Sequence, residues 1–171
     1  SVFCSEIRSP AQARRKAAMA CQAALAKRGV AVLILPVDIS HAKAPAEPDF
    51  VVHRAQPVLR PSDAELDRIA WILNEGKNIA IYGGSGCQGA HDEIVALADK
   101  LKAPVAHTSR AKDFLEYDNP HNVGMTGMLG NAGGYHTIRS CDTLLLLGCD
   151  FAWRQFYPET ARIVQVDIDP T

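Results

Sequence analysis

The chain has 171 residues, 47% of them hydrophobic and 22% charged, with a formal net charge of −1. Such a chain can bury one good core, or one core and a fragment of another. The near-neutral balance gives no broad field to recruit nucleic acid or an anionic membrane, and no apolar run approaches the roughly 20 residues that span a bilayer.

The first elements are short. Ser9-Pro10 reads as an N-cap with proline at the first helical position, and the helix it opens is expected to run to Lys27-Arg28 with Gly29 at C′. Val30 to Leu35 is a continuous apolar run, the pattern of a strand buried on both faces. Strand, helix and strand are too little to close a core. Residues 1–40 read either as a first βαβ unit of the main domain or, the preferred expectation given the linker that follows, as the tail of a preceding α/β domain. His41 to Pro61 carries four prolines and no hydrophobic period, and reads as a semi-rigid linker.

From residue 62 the pattern changes. Ser62-x-x-Glu65 is a capping box, Leu66, Ile69, Ala70 and Leu73 follow helical spacing, and Gly76 stops the helix. Ile79-Ala80-Ile81-Tyr82 then breaks into Gly83-Gly84-Ser85-Gly86, and a helix with Ala90, Ile94, Leu97, Ala98 and Leu101 on one side follows. A strand that turns through glycines onto a helix N-terminus can hold a phosphate, since backbone N–H groups approach without a Cβ in the way. Gly84, Gly86 and Gly89 also satisfy G-x-G-x-x-G in that context. Val105–Thr108 reads as a strand left by Ser109-Arg110-Ala111-Lys112, 113–134 as irregular and glycine-rich, and Thr143–Leu147 and Arg162–Val166 as two further strands. Alternating strands and helices predict an α/β fold with a doubly wound parallel sheet, residues 62–171 forming its domain.

In such a sheet, ligands bind beyond the carboxyl ends of the strands. Gly83–Gly86, Ser109–Lys112, Gly148–Trp153 and Asp167–Asp169 lie at four such ends, offering glycines, two cations, aromatic residues and carboxylates suited to a dinucleotide. An ordinary NAD site is disfavoured, because the acid expected about 20 residues after the glycines is missing at Thr108-Ser109-Arg110. The five cysteines (4, 21, 87, 141, 149) show no C-x-x-C spacing, which suits free thiols in a reducing compartment. Cys87 breaks any G-x-S-x-G nucleophile elbow. It reads better as a buried small residue than as an activated thiol, and the six histidines lack metal-ligand spacing.

The stretches EYDNP, NPHNVGMTGMLGNAGGYHT and FYPETARIVQVDIDP resemble the central domain of thiamine-diphosphate enzymes, and among them the flavin-dependent pyruvate oxidases and pyruvate:quinone dehydrogenases. The resemblance runs essentially end to end. It implies a Rossmann-like (DHS-like) domain that binds FAD, with Thr126, Gly127, Met128 and Leu129, and Cys149, Asp150, Phe151, Ala152 and Trp153, lining the cofactor. It further implies Asp167 at the adenosine ribose, and Gly84, Ser85, Gly86 and Arg110 along the phosphates. Residues 1–40 resemble the end of the family's pyrimidine-binding domain. The catalytic glutamate and the segment that holds magnesium and thiamine diphosphate match nothing in this chain. On this resemblance the parent is a cytoplasmic homo-oligomer, a tetramer, that oxidatively decarboxylates pyruvate or a similar 2-oxo acid, and this piece alone lacks the catalytic residues. The alternatives are a non-redox relative of the acetohydroxyacid synthase or decarboxylase type, or a non-catalytic scaffold. The sequence starts at Ser1 without Met and stops at Asp169-Pro170-Thr171, so both ends read as cut.

Overall fold

A computed structural model describes residues 1–46, 52, 58–150 and 153–169. Much of the expected 41–61 linker, the site candidates Phe151 and Ala152, and the terminal Pro170-Thr171 lie outside the described residues. The chain divides into two units, Ser1–Val58 and Leu59–Thr171.

In the first unit, β1 (Phe3–Glu6) and β2 (Ala31–Ile34) pair in parallel, Phe3 facing Ala31 and Glu6 facing Ile34. Between them runs α1 (Ala13–Lys27). Ser9 caps nothing with its side chain; Pro10–Gln12 instead form one 3₁₀ turn, so the helix begins three residues later than the sequence suggests. At its other end Arg28, not Gly29, takes the left-handed conformation (φ 48°, ψ 43°). A side chain at Gly29 would run into Val2. After β2 comes α2, a single turn (Val37–Ser40). The expectation that Val30–Leu35 is buried on both faces is corrected: Val32 and Ile34 are 39% and 50% exposed, alternating with half-buried Ala31 and Leu33. Within this unit one helix serves a two-stranded sheet, and it covers one face only.

The second unit is built around five parallel strands. It opens with α3 (Asp63–Glu75), whose capping box forms as read: the Glu65 N–H donates to Ser62 Oγ, and the Ser62 N–H donates to Glu65 Oε2 at 2.8 Å. The strands are β3 (Ile79–Gly83), β4 (Val105–His107), β5 (Asn122–Met125), β6 (Thr143–Leu147) and β7 (Arg162–Val166), ordered β5-β4-β3-β6-β7 across the sheet. In chain order within the unit this is 3-2-1-4-5, the doubly wound arrangement with its switch point between β3 and β6. Helices α4 (His91–Leu101), α5 (Lys112–Leu115) and α6 (Ala132–Ser140) occupy the connections.

Alternation along β3 divides the core in two. Ile79 and Ile81 face one side, where they meet Leu73 of α3, Ile94 and Ala98 of α4, and Leu145 and Val164. Ala80 and Tyr82 face the other, with Ile138 of α6, Leu144 and Leu146. Both faces of the central strands are thus covered, which is why they read as unbroken apolar runs. Burying a side chain such as Ile81, which is fully inaccessible, contributes about 1.5–3 kcal/mol. At the amino edge the Asp142 carboxylate accepts from the N–H groups of Lys77 and Asn78 and from the Thr143 hydroxyl. These bonds fix where β3 and β6 begin, and the Thr143 hydroxyl, first among them, holds that carboxyl below its ordinary range.

The segment 113–134, expected to be irregular, contains β5 and the start of α6. Pairing of β4 with β5 skips Val123: Val105 faces Asn122 and Ala106 faces Gly124, which sits at φ 89°. A bulge at a glycine removes the period-two signal that announces a strand.

Candidate functional site at the carboxyl edge of the sheet

Three of the carboxyl-end loops in the second unit are stitched together by backbone contacts. The N–H of Gly84 donates to Leu147 O and that of Gly86 to Gly148 O, each at 2.9 Å, and the Thr108 N–H donates to Gly83 O at 3.0 Å. The glycines at 84, 86 and 148 allow this approach. A Cβ on Gly86 would stand 2.6 Å from the Gly148 Cα, and Gly148 itself has φ 53°. The expectation that Gly84 and Gly86 present free N–H groups to a phosphate is therefore corrected at those two atoms. The turn continues as a 3₁₀ turn at Ser85–Cys87, and α4 starts only at His91. Ser85 stays exposed on it.

The stitched loops leave an open cavity of about 290 Å³ beside them. Tyr82 lies at its base, Thr108 and Ser109 come from the end of β4, and Met125 to Leu129 from the end of β5. Asp150 and Trp153, from the loop after β6, complete the lining. Thr126, Gly127, Met128, Leu129, Asp150 and Trp153, all named from sequence, are thus brought together. Cys149, buried at 4% exposure, does not line the cavity, nor do Gly84, Ser85, Gly86, Arg110 and Asp167. Arg110 is exposed beside Ser109. Asp167 is exposed after β7, where its Oδ1 accepts the Asp169 N–H at 3.0 Å. Tyr82, Thr108 and Met125 were not assigned from sequence, and Ser109 was named only as the start of a strand-end loop; all four lie within two residues of a strand's carboxyl end, which is the signal that could have marked them.

The polar groups here are unevenly satisfied. The Tyr82 hydroxyl donates to Thr126 O at 3.3 Å, and burial pushes its phenol above the ordinary tyrosine range. The hydroxyls of Thr108 and Thr126 are buried with no hydrogen-bond partner among the described residues. Below Thr108, His107 is fully buried, its Nδ1 3.0 Å from Thr108 O; its Nε2 stands 3.3 Å from Glu116 Oε2 without hydrogen-bond alignment. Glu116 is held in turn by Lys112 at 2.6 Å. Cys149 is pushed up to about 12, chiefly by burial and then by Cys87, Asp150 and Asp167. Burial likewise raises Cys87, whose Sγ lies 3.1 Å from Leu147 O. Both sulfurs are neutral, packed thiols rather than nucleophiles. Among the described residues, no group of three or more His, Cys, Asp or Glu side chains is placed to hold a metal, and no helix is long and apolar enough to cross a membrane.

Strand order and cavity define the second unit as a doubly wound, Rossmann-type domain with its pocket at the carboxyl edge of the sheet. The family model for the thiamine pyrophosphate enzyme central domain matches residues 66–171. The chain belongs to that family. An uncharacterised 42.6 kDa protein of Pseudomonas amyloderamosa, from the isoamylase 3′ region, is 45% identical over 99% of this chain and 43% of its own length. The acetolactate synthase large subunit of Cyanidium caldarium is 32% identical over 70% of this chain and 22% of its own. Benzoylformate decarboxylase of Polynucleobacter necessarius superposes with a TM-score of 0.70 at 22% identity, over 99% of this chain and 33% of that one. This chain spans less than half the length of those relatives.

Proposed function

We propose that this chain is the FAD-binding central part of a thiamine-diphosphate-dependent oxidoreductase of the pyruvate oxidase type, acting on pyruvate or a similar 2-oxo acid. In this reading residues 1–40 close the preceding pyrimidine-binding domain, 41–61 link, and 62–171 hold the flavin. The observation that carries it is the cavity above Tyr82. Its apolar walls, Met125, Met128, Leu129 and Trp153, suit a planar ring, and two buried hydroxyls without partners among the described residues suit ring carbonyls or a polyol. Arg110 and Asp167, outside the cavity, are the groups available for phosphate and ribose.

When bound, FAD would supply an electron acceptor, and thiamine diphosphate with magnesium, held by domains outside this chain, would supply the carbon–carbon chemistry. The chain's own contribution is placement: it orients the ring, excludes water from one face and leaves no thiolate beside it. The parent would work as a homo-oligomer completed by those other domains.

A second reading is favoured by the similarity to an acetolactate synthase. There the same domain would hold flavin without redox work. An absorbance spectrum of the purified full-length protein separates the two. The oxidoreductase reading expects a flavin band that bleaches when pyruvate and thiamine diphosphate are added. A flavin that stays oxidised supports the second reading, and a protein that neither carries nor takes up flavin refutes both.

A further inference from the structure

Helix α6 is joined to both of the loops that wall the cavity. At its start it is bonded to the loop after β5. The Asn131 N–H donates to Met125 O at 3.0 Å, and the Asn131 side chain accepts from the Gly134 N–H at 2.9 Å. Glycine is a poor helix former, yet Gly133 and Gly134 fill the first turn. A Cβ at 133 would stand 2.8 Å from Val123 O, and one at 134 would run into Met125 O, so these two positions let the helix lie against the β5 backbone. Farther along, Ile138 is fully buried in the core with Ala80, Tyr82, Leu144 and Leu146, which seats the helix on the sheet.

Tyr135 and Arg139, four residues apart, share one face of α6. Both reach the loop after β6. The Tyr135 ring meets Phe156 edge-on, with centroids 6.1 Å apart and planes at 89°. Arg139 spreads its guanidinium across the chain on either side of Pro158: Nη1 donates to Tyr157 O at 2.9 Å and Nη2 to Glu159 Oε1 at 2.8 Å. The Glu159 side chain is 78% exposed, so that ion pair contributes little. The bond to Tyr157 O instead satisfies a part-buried backbone carbonyl, and the planar guanidinium is pre-organised for it. The segment so held runs directly into the cavity wall. The Phe156 N–H donates to Trp153 O at 3.0 Å and the Tyr157 N–H to Arg154 O at 3.2 Å, closing a turn whose first residue, Trp153, lines the cavity.

We infer that Arg139 is a positioning residue for the cavity. By holding the Tyr157 carbonyl it fixes the Trp153 wall at a set distance from the Met125–Leu129 wall, to which the same helix is joined. Arg139 itself does not line the cavity, so it acts on an occupant only through Trp153. The slot is thus preset by α6 rather than shaped around what enters it. The effect on cofactor affinity rests on the flavin reading above; the placement of the wall does not.

The test uses the full-length protein. Arg139→Met, which keeps an apolar stem and removes the donors, is compared with wild type, Arg139→Lys and Glu159→Gln by hydrogen exchange and mass spectrometry. Thermal melts first establish that each folds, and Arg139→Gln stands in if Arg139→Met does not. In Arg139→Met, peptides covering 154–159 should exchange about 5-fold faster, the worth of one net hydrogen bond, while those covering β3 and β6 stay unchanged. Arg139→Lys, which can still donate to the carbonyl, and Glu159→Gln should remain close to wild type. In FAD titrations Arg139→Met should weaken binding by about 2- to 5-fold and add nothing once Trp153 is replaced by alanine. Four results overturn the inference: unchanged exchange over 154–159, faster exchange shared equally by β3 and β6, Glu159→Gln matching Arg139→Met, or a loss of FAD affinity that persists in full beside Trp153→Ala. A protein that takes up no FAD refutes the flavin reading, and the exchange data then decide this inference by themselves.

Discussion

The contact between the loops after β3 and β6 should behave as one mechanical unit, and a double-mutant cycle on Gly86 and Gly148 measures it. An alanine Cβ at 86 would lie 2.6 Å from the Gly148 Cα and 3.1 Å from its carbonyl oxygen. An alanine Cβ at 148 would lie 2.5 Å from the Gly86 Cα, on a residue already at φ 53°. Both collisions are with backbone, so neither is relieved by a rotamer change. Forcing the loops apart costs about 1–3 kcal/mol for overpacking. It also strains the bond from the Gly86 N–H to Gly148 O, worth about 1 kcal/mol net. Gly86→Ala is expected to destabilise by about 2–4 kcal/mol in equilibrium urea unfolding. Gly148→Ala should cost at least as much, since its left-handed φ adds about 1–2 kcal/mol. Once one alanine has opened the contact the second finds it already open, so the double variant should fall short of the sum by roughly 0.5–3 kcal/mol. Gly89→Ala is the control. Gly89 has φ 87° but nothing within 4 Å of its Cβ direction, so it should show only the conformational cost. The reasoning is refuted if Gly86→Ala is no worse than Gly89→Ala, or if Gly86 and Gly148 add without coupling.

The cysteines give a prediction of reactivity. Cys4 and Cys21 are exposed while Cys87, Cys141 and Cys149 are buried, so iodoacetamide at pH 8 should label two thiols on the native chain and five in urea; rapid native labelling of Cys87 or Cys149 would contradict the packing described. Burial raises Cys141 to about 11 and Cys149 to about 12 from an ordinary 9.0. Between those limits the unfolded chain has lost protons that the folded chain keeps, so stability is full below pH 9 and declines as pH rises toward 12. Alkaline melts of the wild type and of Cys149→Ala should show it, the variant having the shallower decline. At the proposed ribose contact, Asp167→Ala should weaken FAD by about 1.5–3 kcal/mol in a titration of the full-length protein; unchanged affinity would remove Asp167 from the site.

What was legible in the sequence follows the physics of each element. Strands buried on both faces, Ile79–Tyr82 and Thr143–Leu147, announce themselves as apolar runs, and Ser62 with Glu65 marks a helix start to the residue. Together they are enough for a parallel α/β sheet. β5 was illegible because its bulge at Gly124 breaks alternation and only Val123 and Met125 are large and apolar. The exposure of Val32 and Ile34 was illegible for another reason: an apolar run carries no information on whether a neighbour covers both faces. At the site, the loop 126–129 was found through a resemblance, whereas Thr108 was missed because an unremarkable threonine gains meaning only when its hydroxyl proves unpartnered. The glycines were recognised but their role was not. G-x-G-x-x-G describes backbone that lets something come close, and only the folded structure shows that the visitor at Gly84 and Gly86 is the end of β6 and the loop that follows it.

The order of the strands also carries a timetable for assembly. Ile81 meets Val105 across 24 residues of chain but Leu145 across 64. Closing the longer loop costs about 0.9 kcal/mol more entropy, from the logarithmic dependence on loop length. The β3–β4 pair, which brings Tyr82 and Thr108 together, therefore has the kinetic advantage. Asp150 and Trp153 join only when β6 docks and the glycine contact closes. In a refolding experiment the floor of the cavity should form before its far wall, with the Gly86–Gly148 contact as a late latch.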